Sequence, residues 1–140
     1  MAAVTITAAN VRRSEYATVV NKIAHATITA GQVVYLRPDD GKVALCYATD
    51  DAPPGYEAYG IAVNNAAANQ DVDIVTRDPD FTIGAAVAVG AVYIAGDNGA
   101  IHPASDVDAD WHVSALGVGI SATKINLFPV DQCRSDAPAE

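Results

Sequence analysis

The side chains best suited to chemistry are His25, His102 and His112, with Ser105 and Ser114 as hydroxyls that a histidine would have to activate. Acyl transfer needs its serine on a strained turn beside a base, and no G-x-S-x-G elbow or comparable context surrounds either serine. Hydrolase chemistry is therefore not expected. Asp106, Asp108 and Asp110 alternate and would offer carboxylates to a hard cation, but the run lacks the glycine and closing glutamate of an EF-hand loop. It reads as a solvated acidic loop. Asp39-Asp40-Gly41 and Asp97-Asn98-Gly99 invite the same metal reading, which turn chemistry already accounts for. Gly117-Val118-Gly119 lacks the third glycine and the helix of a dinucleotide site, so it reads as close packing within a strand. Cys46 and Cys133 form no CxxC and no metal-ligand spacing with the histidines, and are expected as two unpaired thiols, one of them in a strand. No catalytic residue, cofactor site or metal site is expected.

Composition says what kind of element must position these residues. The chain has 17 Val, 10 Ile and 9 Thr against 4 Leu, 1 Met, 3 Lys, 3 Glu and 3 Gln, a bias toward β-branched side chains that favours strands. Its 28 Ala are scattered among Val, Thr and Gly without helical spacing, which excludes a helical bundle. At 140 residues and 14.4 kDa the chain is expected to form one domain with its own core. Its longest apolar stretch, Phe81 to Ala95, holds two glycines and is shorter than the roughly 20 residues a membrane-spanning helix requires. No membrane partner is expected. The net charge of −9 argues against nucleic acid, whose phosphates such a surface would repel. Arg12, Arg13 and Lys22 against Glu15 nevertheless give residues 1–30 a charge of +2, leaving −11 on the remainder. The start of the chain lacks the basic and continuous apolar regions of a secretory signal, so folding in the cytoplasm is expected.

The most informative feature is internal similarity. Residues 34–43, Val-Tyr-Leu-Arg-Pro-Asp-Asp-Gly-Lys-Val, overlay residues 92–101, Val-Tyr-Ile-Ala-Gly-Asp-Asn-Gly-Ala-Ile, without a gap. Each is followed by a glycine-aliphatic strand, Gly60-Ile61-Ala62 and Gly117-Val118-Gly119, and then by a third strand, Val72 to Thr76 and Lys124 to Phe128. Asp40-Gly41 and Asn98-Gly99 suit tight reversals whose two central residues take positive φ, so each is expected at a hairpin tip. Arg77 to Asp80 and Asp50 to Gly55 carry the Asp, Pro and Gly of loops, and Asn64 to Gln70 is either a loop or one helical turn. Phe81 to Ala95 is apolar on both parities, as in a strand buried on both faces or lying in a subunit contact, and the second is preferred. The organisation expected is an all-β barrel or sandwich. An N-terminal arm and first strand (residues 1–22) precede a single β-domain (23–134) with two pseudo-repeats (28–76 and 87–128) and a flexible tail (135–140).

Tyr35 and Tyr93 match between the repeats and read as packing residues, with a carbohydrate platform as the alternative. Trp111 stands beside the acidic loop as an interface anchor or a lid on the core. Val4 and Ile6 alternate with Thr5 and Thr7 as in a strand, and Asn10 to Ser14 then breaks the pattern. This segment reads as either a frayed terminus or an extended arm that adds a strand to a neighbour's sheet edge, with Arg12 and Arg13 pairing carboxylates.

In their order, Ile28 to Leu36, Asp40 to Val43, Gly60 to Val63, Asn69 to Ile74, Gly90 to Tyr93 and Leu116 to Val118 resemble the capsid cement, or head decoration, proteins of tailed bacteriophages. The resemblance spans about residues 28–128. It implies a non-enzymatic, homotrimeric β-fold on the outer surface of the virion head, where it bridges subunits of the major capsid protein. Capsid contact is then expected from Val4, Ile6, Arg12, Arg13 and Tyr16, and contact between subunits from Phe81, Val87, Val89 and Trp111. The competing expectation is a ligand- or carbohydrate-binding β-domain of a phage tail or surface structure.

Overall fold

The computed structural model describes residues 4–49, 55–107 and 111–130. The acidic run at Asp108 and Asp110, most of the Asp50 to Gly55 loop, Cys133 and the tail at 135–140 lie outside the described residues. Among the described residues, nine strands form one antiparallel system: β1 (Thr18–Ile23), β2 (Val33–Leu36), β3 (Val43–Leu45), β4 (Gly60–Ala62), β5 (Asp71–Thr82), β6 (Val92–Ala95), β7 (Ile101–Pro103), β8 (Ala115–Gly119) and β9 (Lys124–Val130). Three short 3-10 turns are the only helical elements among the described residues. The fold is all-β.

The strand order is β3-β2-β4-β5-β9-β8-β6-β7, with β1 against β5. Matching β2 to β6, β3 to β7, β4 to β8 and β5 to β9 makes this order read the same from either end, with the β5–β9 pairing at its centre. The sequences of the two hairpins overlay without a gap, yet their registers differ by one residue. Leu36 faces Val43, whereas its counterpart Ile94 faces His102.

The two tips differ as well. Asn98 and Gly99 both take positive φ, as expected, but in the first hairpin only Gly41 does. There the turn is longer: Arg37 N–H bonds to the Lys42 carbonyl and Gly41 N–H to the Arg37 carbonyl, so only the last loop residue needs the left-handed region.

Strand β5 organises the core because it is covered on both faces. Val75, Phe81, Ile61 and Val33 from the first half pack with Tyr93, Leu116, Ile125 and Leu127 from the second in one shared core. Val72 and Ile74 turn the other way, into a smaller cluster closed by Ala24, Ile28 and Ala66.

Two expectations are corrected here. Arg77 to Asp80 is not a loop, because β5 runs through it with a bulge between Asp78 and Phe81. The strand pairs with β4 at Ile74 and Val75 and with β9 from Asp78 onward, and the bulge lies within the second pairing. Phe81 to Ala95 is likewise not one strand. It ends β5, crosses an irregular segment and begins β6. Phe81 is 0% exposed and cannot contact another subunit. Its role is packing, and truncation to alanine would cost about 3–5 kcal/mol.

Candidate functional site

The segment before β1 is fixed from beneath. Val11 is buried, and Arg12 exchanges both backbone hydrogen bonds with Thr82 at the end of β5. Two residues on, Ser14 donates its N–H (2.7 Å) and its hydroxyl to Asp78, which also accepts the Asp80 N–H at 3.0 Å. Asp78 is 0% exposed, and an unpartnered carboxylate there would cost several kcal/mol, so these three donors explain how the bulge can hold it. The local sequence carries no signal for this pairing, since the partners lie on separate elements.

Because Val11 and Ser14 face inward, Arg12, Arg13, Glu15 and Tyr16 face outward. Tyr16 is 69% exposed. Arg12 and Arg13 border an open cleft of about 550 Å³ that Val63, Asn64 and Asp73 close on the far side. Arg12 also borders a second cleft of about 410 Å³, shared with Thr82, Gly84 and Thr123. Among the described residues the ion pairs are Arg37–Asp40, His102–Asp106 and Lys124–Asp80, and neither Arg12 nor Arg13 takes part in one. The two guanidinium groups thus stand outside any of these ion pairs, on a chain of net charge −9.

The remaining contact candidates divide. Val4 and Ile6 are half-buried and pack on the shared core, so in this arrangement the arm lies against its own domain. Val87 is half-buried against the same core and donates its N–H to the Ala122 carbonyl. Val89 is 71% exposed, and Val92 and Ile120 are exposed as well. Trp111 is half-buried, edge-on to His102 with ring centroids 4.9 Å apart. Tyr93 is buried and accepts a hydrogen bond from the Ala88 N–H at 2.8 Å, so the matched tyrosines do not form an open stacking platform.

The histidines are separately engaged. Arg37 donates to His25 Nε2 at 3.2 Å, His102 Nδ1 lies 3.0 Å from Asp106 Oδ2, and His112 stacks on Tyr56 at 4.1 Å. Ser114 is buried, and its hydroxyl accepts the Ala58 N–H. No described serine hydroxyl is bonded to a histidine, and no cluster of three metal-ligating side chains occurs among the described residues. No described helix is long and apolar enough to cross a membrane. Compared with known proteins, the chain matches no family model and no curated protein.

Proposed function

We propose that this protein is a non-enzymatic head decoration protein of a tailed bacteriophage, which binds the outside of the mature capsid as a trimer and bridges subunits of the major capsid protein. It folds in the host cytoplasm and ends on the outer surface of the virion. One observation carries the reading: an unpaired Arg12–Arg13 face, flanked by exposed Tyr16, on an otherwise acidic body whose halves share one core. The order of turn and strand motifs between residues 28 and 128 gives the same direction.

A cement protein needs rigidity and contact rather than chemistry. Modest contacts per copy suffice, because many copies that bind the mature lattice and not its precursor stabilise the shell by mass action. Arg12 and Arg13 would supply the charged part of each contact, and Tyr16 an aromatic anchor beside it. Added to shells of the phage that encodes it, the purified protein should bind in fixed stoichiometry and raise their disruption temperature. Replacing Arg12 and Arg13 by Ala should weaken binding at least tenfold, about 1.4 kcal/mol, and flatten its salt dependence. Absence of binding to those shells would refute the reading.

A further inference from the structure

The two clefts that Arg12 borders differ in charge. Glu15 and Asp73 line the cleft that Arg12 shares with Arg13, so carboxylates already stand beside the guanidinium groups there. The second cleft, of about 410 Å³, is lined by Asn10, Arg12, Thr82, Gly84, Ala85 and Thr123, and no acidic side chain is among them. On a chain of net charge −9, a cleft with one cation and no carboxylate favours an anion.

The donors of this cleft lack partners. The Gly84 and Ala85 N–H groups make no hydrogen bond among the described residues, although both residues are half-buried. A half-buried N–H of this kind needs its acceptor from outside the chain. The Thr82 and Thr123 hydroxyls, the Asn10 amide and the Arg12 guanidinium are likewise without a hydrogen bond or ion pair among the described residues. Lys124, which lies opposite Thr82 on β9, is by contrast held by Asp80 at 3.2 Å.

The walls are fixed against one another. Arg12 exchanges both backbone hydrogen bonds with Thr82, and the Ile83 N–H donates to the Thr123 carbonyl at 3.1 Å. Gly84 has a φ of +82°, and a Cβ on it would stand 2.8 Å from the Thr7 carbonyl oxygen and 3.0 Å from Val11 Cγ2. Any side chain there would push away the segment that carries Arg12, so the glycine lets that segment pack against the turn.

The geometry points to a carboxylate-binding site in this cleft. One planar guanidinium matches the single charge of a carboxylate and can grip both of its oxygens, whereas a phosphate dianion would call for a second cation that the cleft lacks. The two hydroxyls and the Gly84 and Ala85 N–H groups would satisfy the remaining lone pairs. An acidic side chain of a protein and a free small acid present the same group. The inference goes beyond the shell reading, since the cleft would take carboxylates whether or not the protein decorates a head.

A titration of the isotope-labelled full chain tests it. The backbone N–H and Arg12 Nε–H signals are followed by NMR as sodium acetate is added at an ionic strength held constant with sodium chloride, and again with a blocked Gly-Glu-Gly peptide. The Gly84, Ala85 and Arg12 signals should shift saturably. Arg12→Ala should weaken binding about tenfold, and Arg12→Lys, which keeps the charge but not the fork, should weaken it less. Saturation by acetate alone assigns a free acid as the ligand, and saturation by the peptide, alone or with acetate, a protein side chain. No saturable shift of the unaltered chain with either probe overturns the inference. So does a shift that Arg12→Ala leaves unchanged, or tighter binding of inorganic phosphate than of acetate. That failure leaves the shell reading standing, because Arg12 and Arg13 also meet in the other cleft, and a failure to bind shells leaves the titration valid.

Discussion

The tip at Pro38 to Gly41 and the tip at Asp97 to Gly99 hold equivalent places in the two halves, yet one stands in solvent and the other is wedged into its neighbour. Around Gly41 an added Cβ would meet nothing within 4 Å. Around Gly99 it would meet Leu45 Cδ2 at 3.0 Å, Gln32 Cβ at 3.1 Å and the Val33 carbonyl oxygen at 3.2 Å, all from the first half. The Gly99 N–H also donates to the Cys46 carbonyl at 2.8 Å. Turn chemistry creates both tips, and the surface each one meets decides its role. The second tip latches the halves together, which leaves the first as the one open to outside contact.

Substituting the two glycines gives the largest separation. Gly41 and Gly99 have nearly the same positive φ, +72° and +73°, so alanine costs each about 1–2 kcal/mol of backbone strain. At Gly99 the crowded methyl adds about 1–3 kcal/mol of overpacking. Gly99→Ala should therefore lower the denaturant midpoint clearly more than Gly41→Ala. Equal losses would mean that the second tip is not seated on the first half.

A smaller effect is expected from the polar side of the latch. Asp97 accepts the Thr49 N–H and the Thr49 hydroxyl, each at 3.0 Å. Asp97→Ala removes both bonds and should cost about 1–2 kcal/mol in chemical unfolding. Thr49→Val in the same background should then add little, because its partner is already gone. Tyr47→Phe is weaker again, since it removes one exposed bond, from the Tyr47 hydroxyl to Asn98 Oδ1 at 2.9 Å, and should cost about 0.5–1 kcal/mol.

The contrast also shows which parts of the molecule could be read from sequence. Period-two alternation and Asp-Gly or Asn-Gly punctuation are local signals, and they located the hairpins and the strands that follow them. Register and seating are not local. The one-residue offset between the hairpins depends on how each turn closes, and the seating of Gly99 depends on Gln32, Val33 and Leu45 in the other half. The same reason explains Phe81. An apolar run reads alike whether another subunit or the chain's own core covers it, and here the core does. Arg77 to Asp80 looked like a loop because its breakers are genuine, while Ser14, from a distant segment, supplies the hydrogen bonds that carry the strand through. In the candidate site, Arg12, Arg13 and Tyr16 read from the sequence as contact candidates, and all three are exposed. The inward turn of Val4 and Ile6 was not, because it depends on two glycines far along the chain.

The smallest expected effect belongs to the open tip and tests whether it is ordered without a partner surface. Asp40 accepts the Lys42 N–H at 3.0 Å, and that bond, helped by the Arg37 guanidinium at 3.1 Å, holds its carboxyl below the usual carboxylate range. A folded pKa depressed in this way contributes stability that is complete above the unfolded carboxylate pKa and is lost as pH falls through the lower, folded value. The tip borders solvent, so the contribution to global stability is slight and the residue-specific titration is the proper readout. Following the Asp40 carboxyl carbon by NMR should give a midpoint below that of an unstructured aspartate. Arg37→Ala should move it only part of the way back, because the bond from the Lys42 N–H remains. A return to the ordinary value with arginine alone removed would mean that the backbone turn is not held in solution. The first tip would then differ from the second in order as well as in burial.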